Sequence, residues 1–389
     1  MRIHFLSGSL LPSMEASSAN VMRTCDALAR SGHEVTLFGR RNGTDDVAAV
    51  LRGYGVSSDV RLLLLGGPAP AQELHGLTRW GGYSKNVRYP LAVRRALQEM
   101  PPPDLIYGRH LPSMMLAALA LPAVPLAFEL HQVRGSRLGR WAERWLFQRL
   151  AFLGVTAVSE ALIADYRSLY SDLEGLDLFL ARNGADEPRE VQPAQVGGRP
   201  GVRRIGYAGS LFPGKGMETM AALAARLPEL DFHVVGGSTA DVADWRARTV
   251  DLPNLIYHGF VDNAQVPAYL AAMDVLLAPP RPVTRSVTGR DMGRWMSPLK
   301  IFQYMAADRP IIASDLPVVR EILRHKVTAL LVPPEDMDAW VAALGQLENP
   351  VLAQQVAAAA QADLVQRFTW TAKVRVIEHL YQRRRYIAA

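Results

Sequence analysis

Arg204-Ile-Gly-Tyr-Ala208, followed at once by Gly209-Ser-Leu-Phe-Pro-Gly-Lys-Gly216, is the stretch that decides the fold. Its first five residues predict a short buried β-strand, and apolar residues then recur at helical spacing from Met217 to Leu227. A strand, a glycine-rich turn and a helix in this order are typical of doubly wound α/β domains. Glycines let the backbone approach a phosphate closely, and Lys215 places a positive charge at the helix start.

A second helix start in the same half of the chain also carries a lysine. Ser297 is a good N-cap and Pro298 suits the first helical position, so the sequence predicts a helix from Pro298 through Leu299 onward. Lys300 then lies in the first turn, where the helix dipole favours an acidic residue. Either lysine alone is typical of an ordinary solvated side chain. Together, each shortly after a predicted strand, they predict a clamp for a diphosphate.

Composition limits the class of protein. The 389 residues are 49% hydrophobic and 21% charged, which is enough for two domains and excludes a disordered chain. No apolar run reaches the roughly 18–20 residues that cross a bilayer, and the N-terminus is typical of a buried strand. The single cysteine, Cys25, excludes an internal disulfide, and a cytoplasmic location is expected. The net charge of +6 comes without a nucleic-acid-binding motif, so no nucleic acid partner is expected.

Short apolar strands alternate with helices along both halves of the chain, which predicts parallel sheets covered on both faces. We expect two Rossmann-like doubly wound domains facing across a cleft, one over residues 1–185 and one over 203–370. The polar, Pro- and Gly-rich residues 186–202 are the predicted linker. A last helix, 371–389, is expected to pack back on the first domain. Ligands of such sheets lie beyond the carboxyl ends of the strands, where both lysines fall.

Two motifs suggest other chemistry. Gly209 to Lys215 matches the start of a Walker A loop, but Gly216 stands where a magnesium-binding Ser or Thr belongs, which disfavours an NTPase. Asp336-Met-Asp338 could hold a metal-bound nucleotide, yet it is more typical of acidic charge at a helix start. No metal site is therefore predicted.

The segment before Ser297 is rich in arginine. This composition is typical either of a solvated loop or of a mobile flap that closes on phosphates. Arg290 and Arg294 are the arginines of this segment that we expect to bind phosphate. In the first half, Glu129-Leu-His131 ends a predicted strand at the edge expected to face the cleft. The predicted helix Leu138–Phe152 mixes arginines with Trp141 and Trp145. It fits a domain helix that buries its aromatic side better than one lying on an anionic membrane.

The ordered set of segments resembles the retaining glycosyltransferase family 4, whose members have the GT-B fold. The resemblance covers nearly the whole chain, through Leu28–Thr36, Val158–Glu160, Arg182–Asp186, Tyr207–Leu211, Lys215-Gly216, Asn254–Phe260, Tyr269–Val275, Ser297–Ala307, Ile311–Pro317 and Phe368–Trp370.

The resemblance implies that the second domain binds a nucleotide diphosphate sugar and the first binds the acceptor, and Glu15 and Glu129 are assigned to the acceptor region. It implies that Lys215 and Lys300 neutralise the departing diphosphate without a metal or another cofactor, and that His131 lies beside the sugar. The implied donor-binding residues are Gly209, Ser210, Gly214, Gly216, Ser297, Pro298, Leu299, Gln303, Arg290 and Arg294.

Two departures from the family pattern concern the donor site. The family has two glutamates eight positions apart, where this chain has Trp295 and Gln303. Gln303 can still hydrogen-bond ribose hydroxyls, whereas the indole of Trp295 cannot accept a hydrogen bond. The family's phosphate-binding arginine is replaced by Ser210, so a loop arginine is expected to substitute for it.

The sequence thus predicts a hexosyltransferase that moves a sugar from a nucleotide diphosphate sugar to a polysaccharide or lipid-linked acceptor, with retention of configuration. Peripheral contact with the inner, anionic face of a membrane stays open. The rival functions are a nucleotide-sugar epimerase and an inert binding partner that uses the same fold. The two replaced glutamates favour the inert partner.

Overall fold

The computed structural model describes residues 1–66, 81–283, 291 and 293–387, and it divides into two compact units. The first comprises Met1–Arg182 together with the chain from Lys373 onward, and the second comprises Asn183–Ala372. The fold class predicted from the sequence is confirmed, since each unit is an α/β domain built on a parallel sheet. In the described ranges, no helix is both long enough and apolar enough to span a membrane.

The first unit contains a parallel sheet in the order β3-β2-β1-β4-β5-β6-β7. Its strands are Arg2–Leu11 (β1), Glu34–Arg41 (β2), Val60–Leu65 (β3), Leu105–Gly108 (β4), Leu126–Leu130 (β5), Phe152–Ala157 (β6) and Leu178–Leu180 (β7). Its helices are Ala16–Arg30 (α1), Val47–Gly53 (α2), Gly81–Glu99 (α3), Leu111–Ala120 (α4), Arg137–Phe147 (α5) and Glu160–Leu169 (α6).

The second unit contains a parallel sheet in the order β10-β9-β8-β11-β12-β13. Its strands are Arg204–Ala208 (β8), Asp231–Val235 (β9), Leu255–Gly259 (β10), Val275–Ala278 (β11), Ile311–Ser314 (β12) and Leu330–Val332 (β13). Its helices are Met217–Arg226 (α7), Thr239–Arg248 (α8), Val266–Ala271 (α9), Leu299–Ala306 (α10), Pro317–Arg320 (α11), Met337–Gln346 (α12) and Pro350–Arg367 (α13). Helix α14, Trp370–Ile387, carries the chain into the first unit.

The second sheet is buried on both faces, as its apolar strands predict. Val275 and Leu277 of β11 join one apolar cluster, while Leu276 and Ala278 join the cluster on the opposite face. This alternation follows from the period of two in a β-strand. It fixes the register of β11, so the residues after Ala278 leave the sheet at its carboxyl edge.

Three local features differ from the sequence predictions. The helix predicted over Leu138–Phe152 ends at Phe147, because Phe152 opens strand β6. The three-residue strand β7, at the edge of the sheet, was not predicted. Residues 186–202 form no helix or strand, yet they lie against the second unit, where Ala194 N–H donates to the Ala268 carbonyl at 2.9 Å.

Candidate functional site

The order of the strands locates the candidate site of the second unit. Strand β8 lies beside β11, although the chain runs from β8 to β9 and β10 before it reaches β11. The connections leaving β8 and β11 therefore diverge, which opens a crevice at the carboxyl edge of the sheet. The loop 209–216 follows β8, and the segment leading to α10 follows β11. Lys215 and Lys300 come from these two connections.

The glycine-rich loop 209–216 is held by hydrogen bonds that its backbone carbonyls accept from neighbouring residues. The Tyr207 hydroxyl contacts the carbonyls of Ser210 and Lys215 at 2.7 and 3.1 Å. The Gly214 carbonyl accepts from the Arg281 N–H at 3.0 Å, which ties the loop to the segment after β11. Gly216, at φ +119°, forms the N-cap of α7, and a Cβ there would lie 2.5 Å from the Pro279 ring. The close approach of the two connections thus requires glycine at this position.

Lys300 has an ammonium group without a hydrogen-bond partner in the described structure. Its Nζ is buried and lies 3.7 Å from the centroid of the Tyr207 ring. Gly209, at φ +147°, leaves room for it, because a Cβ there would lie 3.0 Å from that nitrogen. Burial, together with the positive charge of Lys215, holds the pKa of Lys300 well below its ordinary value of 10.5.

Lys215 is half-buried, and burial lowers its pKa as well. Among the described residues, no carboxylate forms an ion pair with either lysine. Two cations that share a crevice without an acidic partner repel each other and are poorly solvated. An anion placed between them removes both penalties, so the arrangement fits an anionic ligand.

The start of α10 differs from the sequence prediction by one residue. Helix α10 begins at Leu299 and Pro298 is its N-cap, so the prediction of Ser297 as N-cap was wrong. Ser297 lies one position too early for its hydroxyl to reach the free N–H groups of the first turn. Its carbonyl instead accepts from the Asn183 side chain at 2.8 Å, while its buried hydroxyl has no hydrogen-bond partner among the described residues. The Ser297 hydroxyl is therefore a buried polar group near the helix start whose hydrogen bonds are not made within the described residues.

The remaining predicted donor residues have different surroundings. Gln303, on α10, and Trp295 are both half-buried, and Arg294 is exposed. Arg290 lies outside the described residues. The acidic pair at Asp336 and Asp338 begins a helix, as expected, with the Asp336 carboxylate accepting from the Ala339 N–H at 3.0 Å.

In the first unit, Glu129 is part of a buried network and is not open to an acceptor. It is 1% exposed, and its carboxylate accepts from the Tyr107 hydroxyl at 2.7 Å and pairs with Lys373 Nζ at 3.0 Å. The charge of Lys373 and the hydrogen bond from His131 hold the pKa of Glu129 well below its ordinary value despite its burial. The sequence prediction had assigned this carboxylate to the acceptor region.

His131 contacts the same carboxylate through Nε2 and is one-quarter exposed. Burial and the nearby Arg109 lower the pKa of His131 to about 4, so its ring is neutral at neutral pH. A neutral ring that donates from Nε2 to Glu129 has Nδ1 as its acceptor. Glu15, also predicted near the acceptor, is exposed at the N-cap of α1, where it accepts from the Ser17 hydroxyl at 2.9 Å.

Sequence reasoning missed Lys373. Its side chain is buried in the first unit against Glu129, although the two are far apart in the chain. One sequence signal points to it: the chain has five lysines among 43 Lys and Arg residues, and Lys215, Lys300 and Lys373 are three of them. In a chain that uses arginine at most basic positions, a lysine is a candidate for a site that needs a single compact ammonium group.

The helix α5 exposes apolar side chains that the sequence prediction expected to be buried. Leu138 is 75% exposed and Trp141 is 59% exposed, while Leu150, just beyond the helix, is fully exposed. The residues that α5 buries are Glu143, Leu146 and Phe147. We refer to Leu138, Trp141 and Leu150, with Arg137 beside them, as the α5 surface.

Comparison with known proteins agrees with the fold. Residues 202–349 match the family of glycosyl transferases group 1, and residues 17–174 match the glycosyl transferase 4-like domain. The phosphatidyl-myo-inositol mannosyltransferase of Mycolicibacterium smegmatis is 31% identical over 287 residues, which cover 71% of this chain and 70% of that protein. The GDP-mannose-dependent alpha-mannosyltransferase of the same organism is 26% identical and covers 91% of this chain and 90% of its own length.

Solved structures show the same fold. The sucrose-phosphate synthase of Thermosynechococcus elongatus superposes with a TM-score of 0.73 at 17% identity, covering 100% of both chains. HepE of Anabaena, in complex with UDP-glucose, has a TM-score of 0.66 at 17% identity and covers 98% of this chain and 100% of its own. The two Rossmann-like sheets, together with these matches, define a GT-B-fold glycosyltransferase that uses a nucleotide sugar. The chain belongs to glycosyltransferase family 4.

Proposed function

We propose that the protein transfers a hexose from a nucleotide diphosphate sugar to a lipid-linked or polysaccharide acceptor, with retention of configuration. The observation that carries the proposal is the pair Lys215 and Lys300, which share the crevice beyond β8 and β11 without an acidic partner in the described structure. The names of the relatives make GDP-mannose the first donor to test.

The chemistry proposed for this site is stabilisation of the leaving group. As the bond between the sugar and the diphosphate breaks, negative charge grows on the diphosphate oxygens. Lys215, Lys300 and the backbone N–H groups at the start of α10 are held in place before the reaction and face that charge. Because the lysines supply the positive charge, we propose that binding does not require a divalent cation. His131 is proposed to accept a hydrogen bond from a sugar hydroxyl at Nδ1.

Calorimetric titration of UDP, GDP, ADP, dTDP and CDP, with and without magnesium, tests the proposal. We expect one of the five to bind tightly, equally well in the presence and absence of magnesium. Lys215→Ala and Lys300→Ala should each weaken that binding by about 10- to 150-fold, as expected for hydrogen bonds to charged groups of about 1.5–3 kcal/mol. Unchanged affinity in both variants would refute the clamp.

The rival functions predict different outcomes. An epimerase would convert the nucleotide sugar in the absence of any acceptor, which product analysis of the donor alone detects. An inert partner would bind none of the five nucleotides. A donor that is consumed only when an acceptor extract is present supports a transferase.

We further propose that the α5 surface contacts an anionic membrane. Two exposed apolar side chains, Leu138 and Trp141, lie on a helix that also carries Arg137, and such a face suits a negatively charged lipid surface. Flotation with phosphatidylglycerol vesicles and with zwitterionic vesicles tests the contact. The double variant Leu138→Ser, Trp141→Ser should lose binding, while Val351→Ser, an exposed apolar change in the second unit, should keep it. Equal flotation of the variant and the unmodified protein would refute the contact.

A further inference from the structure

Tyr207 contacts both connections that supply the lysines. It is the penultimate residue of β8, and its side chain is fully buried. Its single phenolic proton is shared between the carbonyls of Ser210 and Lys215, near the two ends of the glycine-rich loop. The hydroxyl therefore fixes the path of the backbone between these residues.

The aromatic ring of Tyr207 contacts Lys300. Lys300 Nζ is 3.7 Å from the ring centroid, within the range of a cation–π contact. Since that nitrogen has no hydrogen-bond partner in the described residues, the ring is the group that fixes its position. Gly209 also lies close to this nitrogen, since a Cβ on Gly209 would be 3.0 Å from Lys300 Nζ.

One side chain thus contacts the ammonium group of Lys300 with its ring and the backbone carbonyl of Lys215 with its hydroxyl. Lys215 and Lys300 belong to different connections, and each has a long side chain that loses conformational freedom when it is held in place. A diphosphate requires the two ammonium groups at a fixed separation. We infer that Tyr207 is a positioning residue that sets the separation of the two lysines before the diphosphate binds. This inference rests on the proposed function, and it assigns Tyr207 no contact with the ligand.

Titrations of inorganic pyrophosphate, of a nucleoside diphosphate that the unmodified protein binds, and of the matching nucleoside monophosphate test this role. Tyr207→Phe removes only the hydroxyl, and Tyr207→Leu also removes the ring. We expect Tyr207→Phe to weaken pyrophosphate and diphosphate binding about tenfold, the effect of one lost hydrogen bond. Tyr207→Phe should also reduce the preference of the protein for the nucleoside diphosphate over the monophosphate. A purely structural role would lower the melting temperature and leave that preference unchanged.

The matched control is Tyr257→Phe. Tyr257 is a buried tyrosine of β10 in the same sheet, and its hydroxyl contacts Thr249 at 3.0 Å, apart from the loop. This variant should bind both nucleotides as the unmodified protein does. The double variant Tyr207→Phe, Lys215→Ala supplies a second test. If the Tyr207 hydroxyl acts through the loop that carries Lys215, Tyr207→Phe should weaken diphosphate binding less in the Lys215→Ala protein than in the unmodified protein. Fully additive effects would overturn the inference.

The inference and the proposed function fail in different ways. If the unmodified protein binds no nucleoside diphosphate, the proposed function fails. If it binds one, and Tyr207→Phe retains the full preference for the diphosphate, the inference fails and the proposed function stands. Should Tyr207→Leu not fold, Tyr207→Phe and the combination with Lys215→Ala decide the question.

Discussion

Replacing Lys300 with methionine should stabilise the second unit while it weakens diphosphate binding. The buried Nζ of Lys300 has no hydrogen-bond partner in the described structure, and the positive charge of Lys215 acts on it unfavourably. Methionine has a similar length and fills the space over the Tyr207 ring with a thioether that aromatic rings tolerate well. The variant therefore removes an unfavourable charge and preserves the packing.

The size of the effect follows from the desolvation of a polar group. In proteins, a buried polar group without a partner destabilises by about 1–3 kcal/mol. We expect the free energy of unfolding of the second unit to rise by about this amount. Each kcal/mol corresponds to about 2–4 °C in the melting temperature of a domain of this size. The same substitution removes about 1.5–3 kcal/mol of interaction with the diphosphate.

The stabilisation should depend on pH with a defined sign. The folded protein lowers the pKa of Lys300, so the folded state binds fewer protons there than the unfolded state. The penalty in the unmodified protein is then complete below the folded pKa, and it disappears as the pH rises toward the ordinary value of 10.5. The gain from Lys300→Met should therefore be largest at neutral or lower pH and shrink in alkaline buffer.

Differential scanning calorimetry between pH 6 and about 10, with and without a saturating nucleoside diphosphate, measures both effects. Lys326→Met, which removes an exposed lysine of the same unit, is the control and should change neither quantity. A variant that melts below the unmodified protein at neutral pH would refute the view that the Lys300 charge is unfavourable without a ligand. Full stabilisation of that variant by the nucleotide would refute the role of Lys300 in binding.

Three further predictions concern other side chains. Lys373→Met should destabilise the first unit by about 3–5 kcal/mol in denaturant unfolding, because it removes the lysine that pairs with the buried charge of Glu129. The control is Arg375→Met, which changes an exposed residue of the same helix and should have little effect. Gln303→Glu should tighten nucleoside diphosphate binding about five- to tenfold in calorimetry, since a carboxylate binds ribose hydroxyls more strongly; weaker binding would contradict this. Because the pKa of His131 is lowered to about 4, the transfer rate should fall only as the pH approaches 4, and a fall centred near 6.5 would contradict a ring that is neutral at neutral pH.

The features that the sequence predicted well are local ones. Strand β8, the glycine-rich loop and helix α7 are adjacent in the chain, and apolar periodicity and glycine positions define all three. The preferences of serine for the N-cap and of proline for the first helical position placed the start of α10 to within one residue. The error at Ser297 arose because serine is the better cap in isolation, whereas the Asn183 side chain holds the Ser297 carbonyl in the folded chain.

Features that depend on distant contacts could not be predicted. The apolar pattern of α5 continues past Phe147, so the sequence alone could not show that Phe152 already belongs to a strand. Periodicity likewise identified an amphipathic helix but not which side it buries, and Trp141 lies in solvent where burial was expected. The contact of Tyr207 with Lys300 joins residues far apart in the chain, which no pattern within either segment reveals.

The pairing of Glu129 with Lys373 also constrains how the protein is made. Glu129 lies in the first sheet, but the ribosome adds Lys373 only after the whole of Asn183–Ala372. At about 5–20 residues per second, that interval lasts roughly 10–40 s. During this time the first sheet has a carboxylate to bury and no lysine to neutralise it. The first unit is therefore completed after the second has emerged, in the reverse of their order along the chain.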